Sequence, residues 1–267
     1  MPRQYLQHLR GCLSCTRHKI PKNQWRKPNQ EKENLTDNLI KENFNLKESQ
    51  CTLISESSQA IEIAKESIRR NRFELELYVR ANPKFLHTLT PIPPPKEPLV
   101  AKMMAEAVVK ADVGPMAAVA GALADLAVTD MKQTGCRVAV VENGGEIMAD
   151  SDQPIDVALA AGEEPLSRRF GFRLTEFPLA IATSSGRFSH ALSFGDAEAT
   201  TIFAKNATLA DAVATTVGNL IKGENTKAVI QAGIERGLSI EGIQGVMIIY
   251  KGQVGTGGRI PQIIKIT

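Results

Sequence analysis

Aromatic side chains make up only 5% of the chain, too few to provide the stacking platform that single-stranded nucleic acids use. A surplus of one charge is lacking too. The formal net charge is +3 and the pI about 8.6, and much of the excess comes from Arg3, Arg10, Arg17, Lys19, Lys22, Arg26 and Lys27. The rest is close to neutral, which argues against a nucleic-acid surface, because phosphate binding needs Lys and Arg clustered on one face. Cysteines are few: Cys12, Cys15, Cys51 and Cys136 are scattered and suggest no disulfide framework, so a reducing cytoplasm is the expected compartment. Long apolar runs are missing as well. Residues 1–22 are interrupted every few positions by Arg, His or Lys, against a secretory signal. The most apolar stretch, residues 116–128, contains Asp125 and is shorter than the roughly 20 residues of a membrane span.

What is present is enough for a full core: 43% hydrophobic and 23% charged residues are ordinary globular values. Residues 1–42 are polar, basic and without periodicity, and are expected to be a disordered extension before one domain over residues 43–267. Within that extension His8, Cys12, Cys15 and His18 could supply four zinc ligands; an ordinary tail is the competing reading.

Further along, residues 44–54 predict a single first strand. A helix capped by Ser57 or Ser58 follows, with Ile61, Ala64, Ile68, Leu75 and Val79 on one face, ending before Pro83. A proline-rich loop over residues 91–98 leads to helices over 99–110 and from Gly114 to Lys132, the latter with Pro115 in its first turn. Strands are expected over 137–142, 155–161, 170–174, 179–183, 188–194 and 200–204, and helices over 208–221 and 226–236. Residues 246–250 and 253 onward predict a closing hairpin across Lys251-Gly252. Strands and helices do not alternate strictly, so the expected class is α+β, with antiparallel strands and packed helices.

Several segments place donors or oxygen ligands where an element begins or ends. Residues 113–121, with Gly114, Met116 and Ala117, crowd small residues at a helix N-terminus, where free N–H groups favour an anion such as a pyrophosphate; tight helix-to-sheet packing explains the same letters. Asn143, Gly144, Gly145 and Glu146 follow an apolar strand, where consecutive glycines allow a ligand close to the backbone, or simply build a hairpin turn. Thr183, Ser184, Ser185, Gly186 and His190 gather hydroxyls and an imidazole at a strand end and suggest a ligand-binding loop rather than a serine triad, since Gly-x-Ser-x-Gly is absent. Thr208 and Asp211 fit a helix cap, yet Asp211 and Thr215 also lie four apart on one helical face, a partial shell for Mg²⁺.

Taken in order, Gly114 to Gly121, Asn143 to Ile147, Thr183 to Gly186 with Ser189-His190, and Ala210 to Thr215 make the chain resemble the ApbE superfamily, in particular its short, cytoplasmic branch. ApbE enzymes are FAD:protein FMN transferases that use Mg²⁺ to cleave the FAD pyrophosphate and attach FMN to a threonine of an acceptor protein. By that resemblance Asp211 and Thr215 bind Mg²⁺. Gly114, Met116, Ala117, Asn143, Gly144, Gly145, Glu146, Thr183, Ser184, Ser185 and Gly186 line the site for FAD or another nucleotide. His190 lies near the reacting threonine. The chain departs from the family pattern in having Ala120 where the family carries a lysine, and in lacking Asp-Pro after His190. The alternative class is a non-catalytic partner or assembly protein that keeps the fold and uses the proline-rich loop and basic tail as contacts.

Overall fold

The computed structural model describes residues 39–158, 170–185 and 195–265. The chain begins with a hairpin, β1 (Ile40–Leu46) and β2 (Ser49–Ser55), paired in register from Ile40 against Ser55 to Leu46 against Ser49. This corrects the single strand expected over residues 44–54, and strand structure begins at Ile40, inside the segment assigned to the extension. The turn at Lys47-Glu48 lacks Asn-Gly chemistry: Lys47 adopts φ 52° without being glycine. Ion pairs from Lys47 to Glu76 and from Arg72 to Glu48 hold that turn against the following helix.

That helix, α1 (Ser58–Ala81), is capped by Ser57, whose side chain accepts from the Ala60 N–H. The short α2 (Pro83–His87) and the proline-rich loop lead to α3 (Leu99–Ala111). The third helix is not continuous from Gly114. A 3-10 turn (Pro115–Ala118) precedes α4 (Val119–Gln133). Next come β3 (Ala139–Asn143), β4 (Glu146–Asp150), β5 (Ile155–Ala158), β6 (Phe170–Leu174), β7 (Leu179–Ser184) and β8 (Ala199–Ala204). Two helices, α5 (Ala207–Leu220) and α6 (Thr226–Leu238), precede β9 (Ile243–Tyr250), β10 (Gln253–Gly258) and β11 (Gln262–Lys265). The closing hairpin is present across Lys251-Gly252, but the chain then leaves it, and β11 joins a different sheet.

Among the described residues every strand pairing is antiparallel, which places the chain in the expected α+β class. Eight strands form one sheet in the order β1-β2-β3-β4-β7-β8-β9-β10, and three form another, β11-β6-β5. Side-chain alternation divides the large sheet's two faces. Ala139, Val141, Met148, Ala180, Ala182, Ile202 and Ile248 belong to the core shared with the helices. Val140, Ile147, Ala149, Ile181, Phe203 and Met247 pack against Val157, Phe172 and Leu174 of the small sheet. The central strands are buried on both faces and so lack the polar alternation of a half-exposed strand; β8 is buried at all six positions. Among the described residues no single helix is long and apolar enough to cross a membrane.

Candidate functional site

Register brings four strand ends together. The β3–β4 turn joins Asn143 to Glu146, β4 pairs with β7 through Ile147 and Ile181, and β7 ends at Ser184, opposite Thr200 at the start of β8. Alternation turns Asn143, Glu146, Ser184 and Thr200 to the helix side, with Ala139, Met148, Ala182 and Ile202. Thr183 lies on the other face and shares a 3.1 Å hydrogen bond with Thr201. The helices above are α4, by its N-terminus, and α5.

Gly144 and Gly145 have φ of 69° and 115°, the left-handed geometry that a two-residue hairpin turn demands. Their N–H groups donate within the protein, Gly144 to the Gln50 carbonyl at 3.0 Å and Gly145 to Glu142 Oε1 at 2.9 Å. The glycines therefore build the turn. Asn143 locks it to the helix layer: its Nδ2 donates to the Ala120 carbonyl at 3.2 Å and its Oδ1 accepts from Cys51 Sγ at 3.4 Å. Burial pushes the Cys51 thiol up to about 12, so it remains a neutral donor rather than a nucleophile.

The cap expected of Thr208 and Asp211 is corrected. Asn206 caps α5, its side chain accepting from the Leu209 N–H, and no acid stands in the first turn. Asp211, one residue beyond that turn, reaches across to α4 and accepts from the Gly121 N–H at 3.0 Å. Asp125 of α4 returns the exchange: its carboxylate accepts from the N–H groups of Ala207 at 2.7 Å and Thr208 at 2.8 Å and from Thr208 Oγ1 at 2.5 Å. Each helix thus supplies the carboxylate that satisfies the other's N-terminus, a tertiary arrangement that one helix's sequence cannot reveal. The crossing is close, since a Cβ on Gly121 would lie 2.2 Å from the Ala207 carbonyl oxygen. Gly121 therefore serves tight packing of helix on helix. The anion position at that N-terminus is held by Asp211.

Asp211 and Thr215 are half-buried, four residues apart on one face of α5. Burial raises the Asp211 carboxyl to about 7, the Gly121 and Ala120 N–H groups oppose the rise, and the charge of Asp125 adds to it. Glu146 is pushed well above the usual carboxylate range by burial first, then by the charges of Asp211 and Glu142. Two desolvated carboxylates, the charge of Asp211 raising Glu146, with the Thr215 hydroxyl one helical turn from Asp211, form a donor set suited to a hard cation that keeps some water and takes its remaining ligands from a phosphate. Among the described residues no three His, Cys, Asp or Glu side chains gather as a metal cluster. A polar groove lined by Asn43, Gln50, Thr52, Glu142 and Gly144 lies beside the turn.

The family resemblance places Glu146 among nucleotide contacts; in the structure it feels the charge of Asp211. Met116 is exposed and Ala117 half-buried at the start of the helix layer, whereas Gly114 is buried, with space for no side chain: a Cβ there would lie 2.0 Å from the Thr88 carbonyl oxygen. Ser185 is buried at the end of β7. Gly186, His190, the strand expected over 188–194 and the zinc set of His8, Cys12, Cys15 and His18 lie outside the described residues. Asp125 was missed as a partner of α5; a lone acid within an apolar run of small residues was its signal.

The family model described as AbpE bacteria matches residues 35–255. The chain belongs to the AbpE family. A UPF0280 protein of Methanococcus maripaludis strain C7 is 38% identical to this AbpE chain over 232 residues, 85% of this chain and 94% of its own. A UPF0280 protein of Methanothermobacter thermautotrophicus is 39% identical over 195 residues, 72% of this chain and 76% of its own. Among solved structures, the ApbE protein of Thermotoga maritima superposes with a TM-score of 0.59 at 12% identity, over 82% of this chain and 96% of its own. The apo flavinyl transferase ApbE of Pseudomonas stutzeri gives 0.53 at 13% identity, over 82% and 94%. At such identities the likeness is one of fold, and this AbpE chain has the ApbE fold.

Proposed function

We propose that this AbpE chain binds FAD, or a closely related nucleotide, together with Mg²⁺ at the helix-facing strand ends. There it transfers FMN to a threonine hydroxyl of an acceptor protein in the cytoplasm, breaking the pyrophosphate bond and releasing AMP. The observation that carries the reading is the desolvated pair Glu146 and Asp211 with Thr215 beside it, in a chain of ApbE fold.

In this reading Asp211 and Thr215 hold the cation from α5 and Glu146 holds it from the hairpin. When bound, Mg²⁺ would polarise the pyrophosphate oxygens. The α4 N-terminus meets the ligand through Asp211 rather than directly, because its Gly121 N–H is already engaged. Asn143 fixes the hairpin to Ala120 and so sets the distance between Glu146 and Asp211. His190 would stand by the acceptor threonine, by resemblance to the family.

Calorimetry with FAD tests the binding half. The expected result is binding with Mg²⁺ that is lost in EDTA and in Asp211→Asn; FAD binding indifferent to both would sink the metal assignment. Binding without transfer is the second reading, favoured by Ala120, which leaves that position of α4 without the family's lysine. An acceptor protein whose mass increases by one FMN on incubation with FAD, Mg²⁺ and this protein separates the two.

A further inference from the structure

Asn143 is buried at the end of β3, only 3% exposed, although the hairpin does not require an amide there. The positive φ of the turn is supplied by Gly144 and Gly145, and position 143 only leads into it. A buried amide must pair both its oxygen and its N–H₂ or lose free energy, so its partners matter. Strand pairing sets Asn143 between Cys51 on β2 and Glu146 on β4, on the helix side of the sheet. Cys51 Sγ donates to its Oδ1 at 3.4 Å, which leaves Nδ2 for the helix layer.

The group that Nδ2 meets there is shared with α5. Nδ2 donates to the Ala120 carbonyl at 3.2 Å, and the N–H of that same peptide unit, belonging to Gly121, donates to Asp211 Oδ2 at 3.0 Å. The C=O and N–H of a trans peptide point opposite ways, so the hairpin and α5 hold one peptide of α4 from its two ends. Gly121 is the third residue of α4, where an N–H has no partner within the helix, and the Ala120 oxygen has a second lone pair to offer beside its helical bond. Hydrogen bonds in such a chain strengthen one another, because a donor at the carbonyl makes the N–H a better donor. Asn143 thus neighbours Glu146 through the strand ladder and reaches Asp211 through a single peptide.

We propose that Asn143, its amide oriented by the Cys51 thiol, is a positioning residue for the cation, holding Asp211 through the Ala120–Gly121 peptide at a fixed place relative to Glu146. The inference rests on the cation reading above and extends that site to two buried residues that touch neither cation nor nucleotide. Partners that orient a metal ligand in this way typically contribute about 10- to 100-fold to metal affinity. An amide that only fastened the hairpin would bear on stability and leave the cation unaffected.

Calorimetric Mg²⁺ titrations of the full chain at saturating FAD test it. Asn143→Ala is expected to keep the circular dichroism of the parent and to weaken Mg²⁺ by about 10- to 100-fold. Cys51→Ser, whose hydroxyl can still donate to Asn143, should weaken Mg²⁺ less than Cys51→Val, which has no donor. The side-chain N–H₂ resonances of Asn143 give a second measure, one that a fastening role would leave still. They should move on going from the parent to Asp211→Asn, while those of Asn71, bonded to the Ser67 carbonyl within α1, stay in place. Equal Mg²⁺ dependence in the parent and Asn143→Ala overturns this inference alone. Asn143 resonances indifferent to Asp211→Asn do the same, and they decide the matter where Asn143→Ala does not fold. Equal Mg²⁺ affinities of Cys51→Ser and Cys51→Val overturn the role given to the thiol. A parent whose FAD binding is indifferent to Mg²⁺ overturns the cation reading as well.

Discussion

Asp125 and Asp211 carry the same group on facing helices, and their surroundings give them different work. Asp125 is buried and accepts from three donors on Ala207 and Thr208. Replacing it with Asn removes an acceptor oxygen and turns an amide donor toward donors. Asp125→Asn should therefore lower stability by about 1–3 kcal/mol in urea unfolding, the cost of leaving buried donors unmatched. Asp211 is half-buried, has fewer donors and faces the like charge of Glu146. Asp211→Asn keeps an oxygen for the Gly121 N–H and removes the repulsion, so at pH 8 its midpoint should equal or exceed the parent's while Mg²⁺-dependent FAD binding is lost. Equal destabilisation by the two substitutions would mean that both acids are only caps.

At the scale of elements, local chemistry was legible and partners were not. The helix expected over residues 208–221 forms at Ala207–Leu220, and the Ser57 cap and the Asn143–Glu146 hairpin stand where side-chain spacing and turn residues put them. The Lys47-Glu48 turn was missed because no residue there advertises a positive φ, and its ion pairs come from the second half of the next helix. Likewise the acids of α4 and α5 look like self-caps until the helices cross. Their closeness makes Gly121 sensitive: Gly121→Ala must push against the Ala207 backbone, and overpacking of this kind should cost about 1–3 kcal/mol, read from the shift in urea midpoint. A substitution at Gly145 behaves differently, since its missing Cβ would touch nothing within 4 Å but its φ of 115° opposes any side chain. Gly145→Val should weaken the hairpin by strain, so a loss of nucleotide binding in that variant would not by itself identify a backbone contact.

For the whole molecule, three raised carboxyls, those of Asp125, Glu146 and Asp211, leave a signature in stability against pH. The Asp211 carboxyl titrates near 7 when folded against 3.8 as its ordinary value, and Glu146 is raised from 4.5. Groups raised in this sense stabilise the fold while protonated, and the contribution is lost as pH rises through the folded value. Glu48, Glu56 and Glu76 are lowered from 4.5 and work in the opposite sense, but their gain is largely complete by about pH 5. Without divalent cation the urea midpoint should therefore fall between about pH 5 and 8, and the fall should be smaller in Asp211→Asn or with Mg²⁺ and FAD present. A fall as large in Asp211→Asn as in the parent would show that Asp211 and Glu146 do not share a desolvated site. The antiparallel α+β class was legible because strands and helices do not alternate. The separate β11-β6-β5 sheet was not, since strands buried on both faces hide which layer each side chain meets.

The exchange of carboxylates between α4 and α5 also bears on how the protein opens. Neither N-terminus is fully satisfied until the other helix is docked, since Asn206 serves only the Leu209 N–H of α5, so the two cannot fray separately without exposing each other's amides. The N–H groups of Gly121, Ala207 and Thr208, distant in sequence, should exchange their hydrogens for deuterium at a common slow rate set by one joint opening. Widely different protection factors at these amides would show that the helices breathe independently. With a shared opening, a cation held by Asp211 on α5 would slow deuterium uptake at the start of α4, carrying occupancy of the site into the dynamics of a helix that contributes no side-chain ligand of its own.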